Sequence, residues 1–182
     1  FHPGPKIQIA SALPLGFLGR RELVDIWLID VGADLHNSAP GGVLAAGLPA
    51  VPTADLLQPS APPGLTILSV EQVDESAPAL QTQVISAEYE VTLLEPVSIP
   101  NLEQRLQELL AATSLPRQRR GKDYDLRPLV EEIYLPPTPP PEGEGQEVRV
   151  FMRLAARQGA TGRPEEVLNV LGIPFDTTRI ER

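Results

Sequence analysis

The clearest pattern along the chain is a strict alternation of apolar and polar residues over positions 83–94. The apolar positions are Ile85, Ala87, Tyr89, Val91 and Leu93, and the polar positions between them are Ser86, Glu88, Glu90 and Thr92. A period of two predicts a β-strand with one buried face and one solvated face, which is the usual pattern of an antiparallel sheet. We therefore predict that this strand belongs to an antiparallel sheet with one covered face.

Further runs of apolar residues predict more strands. Their ranges are 6–13, 23–29, 65–73, 125–135, 147–155 and 179–182. The run 23–29 is apolar at nearly every position except Asp25, which is typical of a central strand covered on both faces. A carboxylate there would need a partner, because an unpaired buried charge is costly. Pro128 interrupts the run 125–135, and this predicts an edge strand or a bulge.

Two segments have the apolar spacing of helices. The first is predicted over 101–113, with Asn101 as N-cap, Gln104 returning a hydrogen bond to it, and a buried stripe. The stripe consists of Leu102, Leu106, Leu109 and Leu110. The second is predicted over 164–171, where Pro164 suits the first turn and Gly172 the end. Short helical pieces are predicted over 42–48 and 53–57, inside a stretch, 31–63, that lacks periodicity.

This order of elements predicts an α+β protein whose mostly antiparallel sheet carries helices on one face. The chain is interpreted as one domain, residues 1–182. Two ferredoxin-like halves, residues 1–80 and 81–182, are the arrangement we favour within it. The proline-rich segment 136–145, with the sequence PPTPPPEGEG, cannot supply regular ladder hydrogen bonds and is predicted to be an exposed, extended loop.

Composition narrows the functional classes. The chain has no cysteine, which excludes disulfides, thiolate catalysis and cysteine-bound clusters within it. Its net charge of −9 disfavours a general phosphate-binding surface, so any nucleic-acid binding would need a local basic patch. No apolar run reaches the roughly 18 residues of a membrane span. We expect no membrane contact and a cytoplasmic location. The chain begins with Phe1, not methionine, and we predict an N-terminal truncation.

Few residues near the start of the chain suggest chemistry. His2 suits an acid, a base or a ligand, or else a stiff turn between Pro3 and Pro5. The only other histidine is His36, and no ligand spacing predicts a metal site. Lys6 is either an anion-binding lysine or a solvated one.

Glu22 and Asp25 also stand out among these early residues. They form either a paired carboxylate site or an ordinary ion-pair cluster with Arg20 and Arg21.

A basic run occupies residues 117–128, with the sequence RQRRGKDYDLRP. Cations interleaved with a glycine and an aromatic residue suit an RNA backbone and a stacked base. The alternative is a solvated hairpin turn in which Asp123 and Asp125 pair with the cations.

Several short motifs carry a family resemblance. They are the opening HPGPK at 2–6, the sequence Leu13-Pro14-Leu15-Gly16, a glutamate just before an aspartate-containing strand, Gly121-Lys122 followed by Asp125-Leu126-Arg127-Pro128, and Gly162-Arg163-Pro164 at the last helix. Together they resemble the radical SAM-linked domain of unknown function. The last motif is also explained simply as the entry to a helix.

The resemblance implies a setting and no reaction. Such a domain is a short separate protein or the C-terminal part of a cobalamin-binding radical SAM protein. It implies a radical SAM partner, which would hold the iron–sulfur cluster, S-adenosylmethionine and, where it binds one, cobalamin. We expect no cofactor in this chain.

These observations together predict a non-catalytic accessory domain that binds or presents a substrate, with RNA as first candidate and a protein as second. The alternatives are a protein–protein interaction module using an exposed sheet edge, or an enzyme using Glu22, Asp25 and Lys6. We expect no catalytic residue and no metal ligand. The predicted substrate-binding residues are His2, Lys6, Glu22, Asp25, Arg119, Arg120, Lys122, Asp125 and Arg127. Lys6 and Arg127 are expected on the same side of the sheet.

Overall fold

The computed structural model describes residues 6–27, 52–74, 76–136 and 147–182. The chain divides into two compact units. The smaller unit comprises Phe1–Gln8 and Val24–Ala79, and the larger comprises Ile9–Leu23 and Leu80–Arg182. His2, the predicted helix 42–48 and nearly all of the predicted loop 136–145 lie outside the described residues.

The smaller unit contains little regular structure in its described part. Strands β1 (Lys6–Ile9) and β2 (Val24–Trp27) form a two-stranded sheet. The predicted covered, central position of β2 is wrong, because within the described ranges the strand pairs only with β1 and exposes both Val24 and Ile26. An apolar run alone does not show whether neighbouring strands exist to cover it.

Helix α1 (Ala54–Leu57) confirms the predicted piece at 53–57, and the Thr53 hydroxyl accepts a hydrogen bond from the Leu56 N–H. The predicted strand 65–73 is wrong. Instead, the Gln58 side chain donates to the Leu65 carbonyl and accepts from the Ile67 N–H. An amide side chain thus takes the place of a neighbouring strand.

The larger unit follows a β-α-β-β-α-β order with one hairpin inserted. Its elements are α2 (Leu80–Gln83), β3 (Ser86–Leu93), α3 (Ile99–Ala111), β4 (Pro116–Arg119), β5 (Lys122–Asp125), β6 (Val130–Tyr134), β7 (Val148–Arg157), β8 (Ala160–Thr161), α4 (Pro164–Leu171) and β9 (Thr178–Glu181). The sheet order is β6-β7-β3-β9 with antiparallel pairings, and β8 pairs with the end of β7. The α+β class and the mostly antiparallel sheet are therefore confirmed. The arrangement as two ferredoxin-like halves stays a prediction.

One face of this sheet packs against α3 and α4. Val91, Val150 and Met152 are fully buried there, as are Leu109 and Leu168 from the two helices. The alternation in β3 is confirmed for Tyr89, Val91 and Leu93, which all belong to this core.

One polar position of β3 departs from the pattern. Thr92 is buried, although it belongs to the polar set. In the register it lies between Arg149 of β7 and Arg179 of β9, so a strand adjoins it on each side.

Helix α3 begins at Ile99, two residues before the predicted cap. Asn101 lies inside the helix, and Gln104 donates to Glu108 instead of bonding back to a cap. Pro100 is tolerated there because first-turn N–H groups have no partner within a helix. Leu102, Leu106 and Leu109 are buried as predicted, while Leu110 is 38% exposed and lies at the margin of the stripe.

The start and end signals of α4 are confirmed. Pro164 is its first residue, and Gly172 follows it in the left-handed conformation with φ 67°. The Gly172 N–H bonds to Asn169 and the Ile173 N–H to Leu168, which is a Schellman ending. The edge position predicted from Pro128 is also confirmed for β6, whose register shifts between Val130 and Glu132.

Candidate functional site

The basic run folds into the hairpin formed by β4 and β5. Arg119 pairs with Lys122, so the turn consists of Arg120 and Gly121 alone. Both turn residues have positive φ, 49° for Arg120 and 73° for Gly121. Hairpin turns of type I′ have positive φ at both central positions. They are the favoured two-residue turns because their twist matches that of the flanking strands. The hairpin interpretation of this run is therefore correct.

The register of the hairpin separates its charges by sign. Arg117 lies opposite Tyr124 and Arg119 lies opposite Lys122. Cross-strand partners and alternate residues of one strand share a face, so these four side chains lie together. We name Arg117, Arg119, Lys122 and Tyr124 the cation face. Asp123 and Asp125 belong to the opposite face of the hairpin.

The two aspartates hold the fold and do not neutralise the cations. Asp123 accepts a hydrogen bond of 2.9 Å from the Gln118 side chain. Asp125 Oδ1 accepts from the backbone N–H of Leu115 at 2.7 Å and of Arg127 at 2.9 Å. These two bonds, Leu115 first, lower the pKa of the Asp125 carboxyl. The hairpin part of that alternative is confirmed, but among the described residues no ion pair joins Asp123 or Asp125 to a cation.

Arg127 does not join the cation face. Its guanidinium donates to the Val130 carbonyl at 3.0 Å and to the Leu110 carbonyl at 3.3 Å. Arg127 therefore uses its donors to connect α3 to the start of β6. Of the predicted cations, Arg119 and Lys122 lie on the cation face, and Arg120 occupies the adjoining turn.

A cavity of about 310 Å³ opens beside the cation face. It lies between the hairpin and the turn that joins β7 to β8. Its lining residues are Arg119, Tyr124, Asp125, Leu129, Gly159, Ala160, Thr161 and Arg163. The cavity thus brings two separate sequence motifs together, the basic run and the Gly162-Arg163-Pro164 motif.

Gly162 explains how Arg163 reaches this cavity. The Gly162 N–H donates to the Ala155 carbonyl at 2.8 Å. This hydrogen bond holds the backbone at Gly162 against β7. A Cβ at position 162 would lie 2.9 Å from both the Leu129 carbonyl oxygen and the Leu154 Cβ. Only glycine fits there, and the next residue, Arg163, is thereby held at the cavity wall.

Sequence reasoning missed Thr161 and Arg163 as site residues. The available signal is the Gly162-Arg163-Pro164 motif, which is also explained by the sequence as the entry to a helix. That explanation is correct for Pro164 and incomplete for Arg163.

The electrostatic surroundings of Tyr124 are mixed. Burial is the first cause that raises the pKa of its phenol, followed by the nearby Glu166. Arg117, Arg119 and Arg163 act in the opposite direction. The phenol is therefore protonated at neutral pH and presents a ring with cations around it.

The remaining predicted residues lie elsewhere. In the larger unit, the Arg182 guanidinium donates to both oxygens of Glu22, at 3.1 Å to Oε1, and also to the Ser11 carbonyl. In the smaller unit, the Lys6 ammonium lies 3.9 Å from the centre of the Trp27 ring.

Asp25 is half-buried in β2 of the smaller unit. The shared side of the sheet expected for Lys6 and Arg127 stays a prediction, because the two residues belong to different units.

Two kinds of feature are absent from the described ranges. No group of three or more histidine, aspartate or glutamate side chains there could hold a metal ion. No helix in those ranges has the length and apolar character to cross a membrane.

Comparison with known proteins supplies a family and no activity. Neither the curated proteins nor the solved structures contain a significant match to this chain. One family model matches residues 1–164, a range that includes the hairpin and every residue lining the cavity. By this match the chain belongs to a family of uncharacterized proteins conserved in bacteria, DUF2344.

Proposed function

We propose that this protein is a non-catalytic accessory domain that binds RNA through its cation face and presents it to a radical SAM enzyme in the cytoplasm. The observation that carries the proposal is the separation of charges in the hairpin. Arg117, Arg119 and Lys122 share a face with Tyr124, and both aspartates lie on the other face. The cluster, S-adenosylmethionine and any cobalamin would belong to the partner enzyme.

Arginines elsewhere in the larger unit provide the contrast. On the open face of the sheet, Arg149, Arg153 and Arg179 each lie within 4 Å of at least one glutamate carboxylate. Among the described residues, no ion pair engages Arg117, Arg119, Arg120 or Lys122. These four cations are therefore available to phosphate, although the net charge of the chain is −9.

The proposed enzyme alternative has less support. Glu22 uses its carboxylate to hold the Arg182 guanidinium, an arrangement that fastens the C-terminal end to residues near the start of the larger unit. The interaction-module alternative would use the edge strand β6, and it becomes the preferred account if RNA does not bind.

The test is a salt titration of RNA binding by the complete protein. Phosphate contacts release counterions, so the affinity must fall as salt rises, with a slope of about 0.7 per contact for single strands. Replacing Arg119, Arg120 and Lys122 with alanine should weaken binding and reduce the slope by up to about 2, the sum of three such contacts.

The matched control removes the same charge from the open face of the sheet. Arg153, Arg157 and Arg179 are replaced with alanine, because all three are already paired with glutamates. This control should leave the salt slope close to that of the parent. Absence of RNA binding by the parent, or equal slope losses in both variants, would contradict the proposal.

A further inference from the structure

The cavity beside the cation face has walls of two kinds. Arg119 from β4 and Arg163 from the α4 entry line it, and both carry guanidinium groups suited to phosphate. Tyr124 supplies an aromatic ring, and Thr161 supplies a hydroxyl that donates to the Arg157 carbonyl at 3.4 Å and can still accept a hydrogen bond. A phosphate, a planar base and a sugar hydroxyl are the parts of one nucleotide, and each has a matching group in these walls.

The size of the cavity limits what can enter. A volume of about 310 Å³ lies at the lower end of the range of small-molecule sites, which is roughly 300–1,000 Å³. One nucleotide-sized group fits this scale and a base-paired duplex does not. Sequence-reading RNA sites commonly receive bases that are splayed out of a single strand and stacked on aromatic side chains.

The acidic neighbours determine where the phosphate lies. The Asp125 carboxylate also lines the cavity, where its Oδ1 already accepts hydrogen bonds from the backbone N–H groups of Leu115 and Arg127. The negative charge of Glu166 raises the pKa of the Tyr124 hydroxyl, and the same charge would repel a phosphate placed there. Arg163 lies 3.4 Å from the Glu165 carboxylate, and both side chains are more than a third exposed. Such a solvent-exposed pair is weak, so a phosphate can displace Glu165 from the guanidinium. The phosphate is therefore expected at Arg119 and Arg163, with the base at Tyr124.

We infer that this cavity receives one nucleotide of a single-stranded RNA, with its base stacked on Tyr124 and its phosphate between Arg119 and Arg163. The inference rests on the proposed RNA binding and narrows the substrate class to unpaired RNA. It also assigns binding roles to Arg163 and Thr161, which lie more than thirty residues after the basic run.

The experiment compares labelled oligouridine with the same strand paired to oligoadenosine, using fluorescence anisotropy and the complete protein. The parent should bind the single strand at least about tenfold more tightly than the duplex, because base stacking is available only to the unpaired strand.

Tyr124→Leu removes the ring and keeps an apolar side chain in the half-buried position. It should weaken single-strand binding by about 5- to 150-fold, the range expected for one stacked base. Tyr124→Phe is the matched control and should bind the single strand within about twofold of the parent, since the ring remains. Equal losses for these two variants would overturn the stacking role of Tyr124.

A second pair of variants tests the phosphate contact without changing the packing of the side chain at position 124. Arg163→Gln should reduce the salt slope by about 0.7, the value for one phosphate contact. Glu165→Gln should strengthen binding, because it removes the carboxylate that competes for Arg163. The gain should disappear in the double variant Arg163→Gln/Glu165→Gln, and an equal gain with and without Arg163 would overturn the phosphate role.

The outcomes separate this inference from the proposed function. Equal, salt-dependent binding of single strand and duplex would overturn the cavity inference and leave RNA binding by the cation face standing. Failure of the parent to bind any RNA would overturn both.

Discussion

Replacing Val91 with alanine tests the packing that supports the site. Val91 is fully buried in β3, opposite Val150 on one side and Ile180 on the other. The substitution removes two methyl groups, worth about 0.8 kcal/mol each in lost apolar burial. Backbone ladders hold both neighbours in place, so the gap closes only partly and adds a cavity cost. The free energy of unfolding should fall by about 2–3 kcal/mol in total.

Glu88→Ala is the matched control on the other face of the same strand. Its side chain is 62% exposed and approaches Arg153 only to 3.9 Å, so its loss should cost no more than about 0.5 kcal/mol. Glu90 is a less suitable control, because it accepts hydrogen bonds from both Arg20 and Arg149. Glu90→Ala should therefore cost somewhat more, up to about 1 kcal/mol.

The assay is urea denaturation followed by far-ultraviolet circular dichroism. Tryptophan fluorescence is unsuitable, because the single tryptophan, Trp27, lies in the smaller unit. Equal losses for Val91→Ala and Glu88→Ala would show that the assigned faces of β3 are wrong.

Two further predictions concern the hairpin. Arg120 has φ 49°, a conformation that asparagine adopts more readily than arginine. Arg120→Asn should therefore stabilise the larger unit by about 0.5–1 kcal/mol in urea melts and reduce the salt slope of RNA binding by about 0.7. A loss of both stability and slope would contradict this prediction. The pKa of the Asp125 carboxyl is lowered in the folded state, so its stabilising effect is present above its ordinary pKa and is lost as pH falls through the lowered value. The stability advantage of the parent over Asp125→Asn in thermal melts should therefore shrink below about pH 4, and a constant difference across pH would refute it.

The parts of the fold that the sequence predicts well have strong local signals. The alternation in β3 identifies Tyr89 and Val91 as core residues, and Pro164 with Gly172 marks both ends of α4. Each of these signals depends on residues within a few positions of one another. Local physics therefore suffices to place them.

The wrong predictions concern features that depend on residues distant in the sequence or on the wider fold. Whether β2 is covered depends on neighbours that its own apolar run does not specify. In the segment 65–73, the Leu65 carbonyl and the Ile67 N–H bond the Gln58 side chain and not a neighbouring strand. The start of α3 at Ile99 shows the limit of cap signals, since Asn101 has suitable chemistry and lies inside the helix.

The candidate site is predictable in part. The basic run identifies Arg119, Arg120 and Lys122, and the two-residue turn places Asp123 and Asp125 on the face away from Arg119 and Lys122. The cavity is not predictable from the basic run alone, because one of its walls includes Arg163 from a distant part of the sequence. Arg163 lies there because the preceding residue, Gly162, packs closely against Leu129 and Leu154.

The most direct test of the central claim is to locate bound RNA on the protein. RNA containing 4-thiouridine is bound to the complete protein, cross-linked by ultraviolet light, and the modified peptides are identified by mass spectrometry. Binding through the cation face predicts cross-links in β4 and β5, with Tyr124 among the modified residues. Cross-links confined to the open face of the sheet, where Phe151 and Tyr134 lie 4.8 Å apart between ring centres, would contradict the claim.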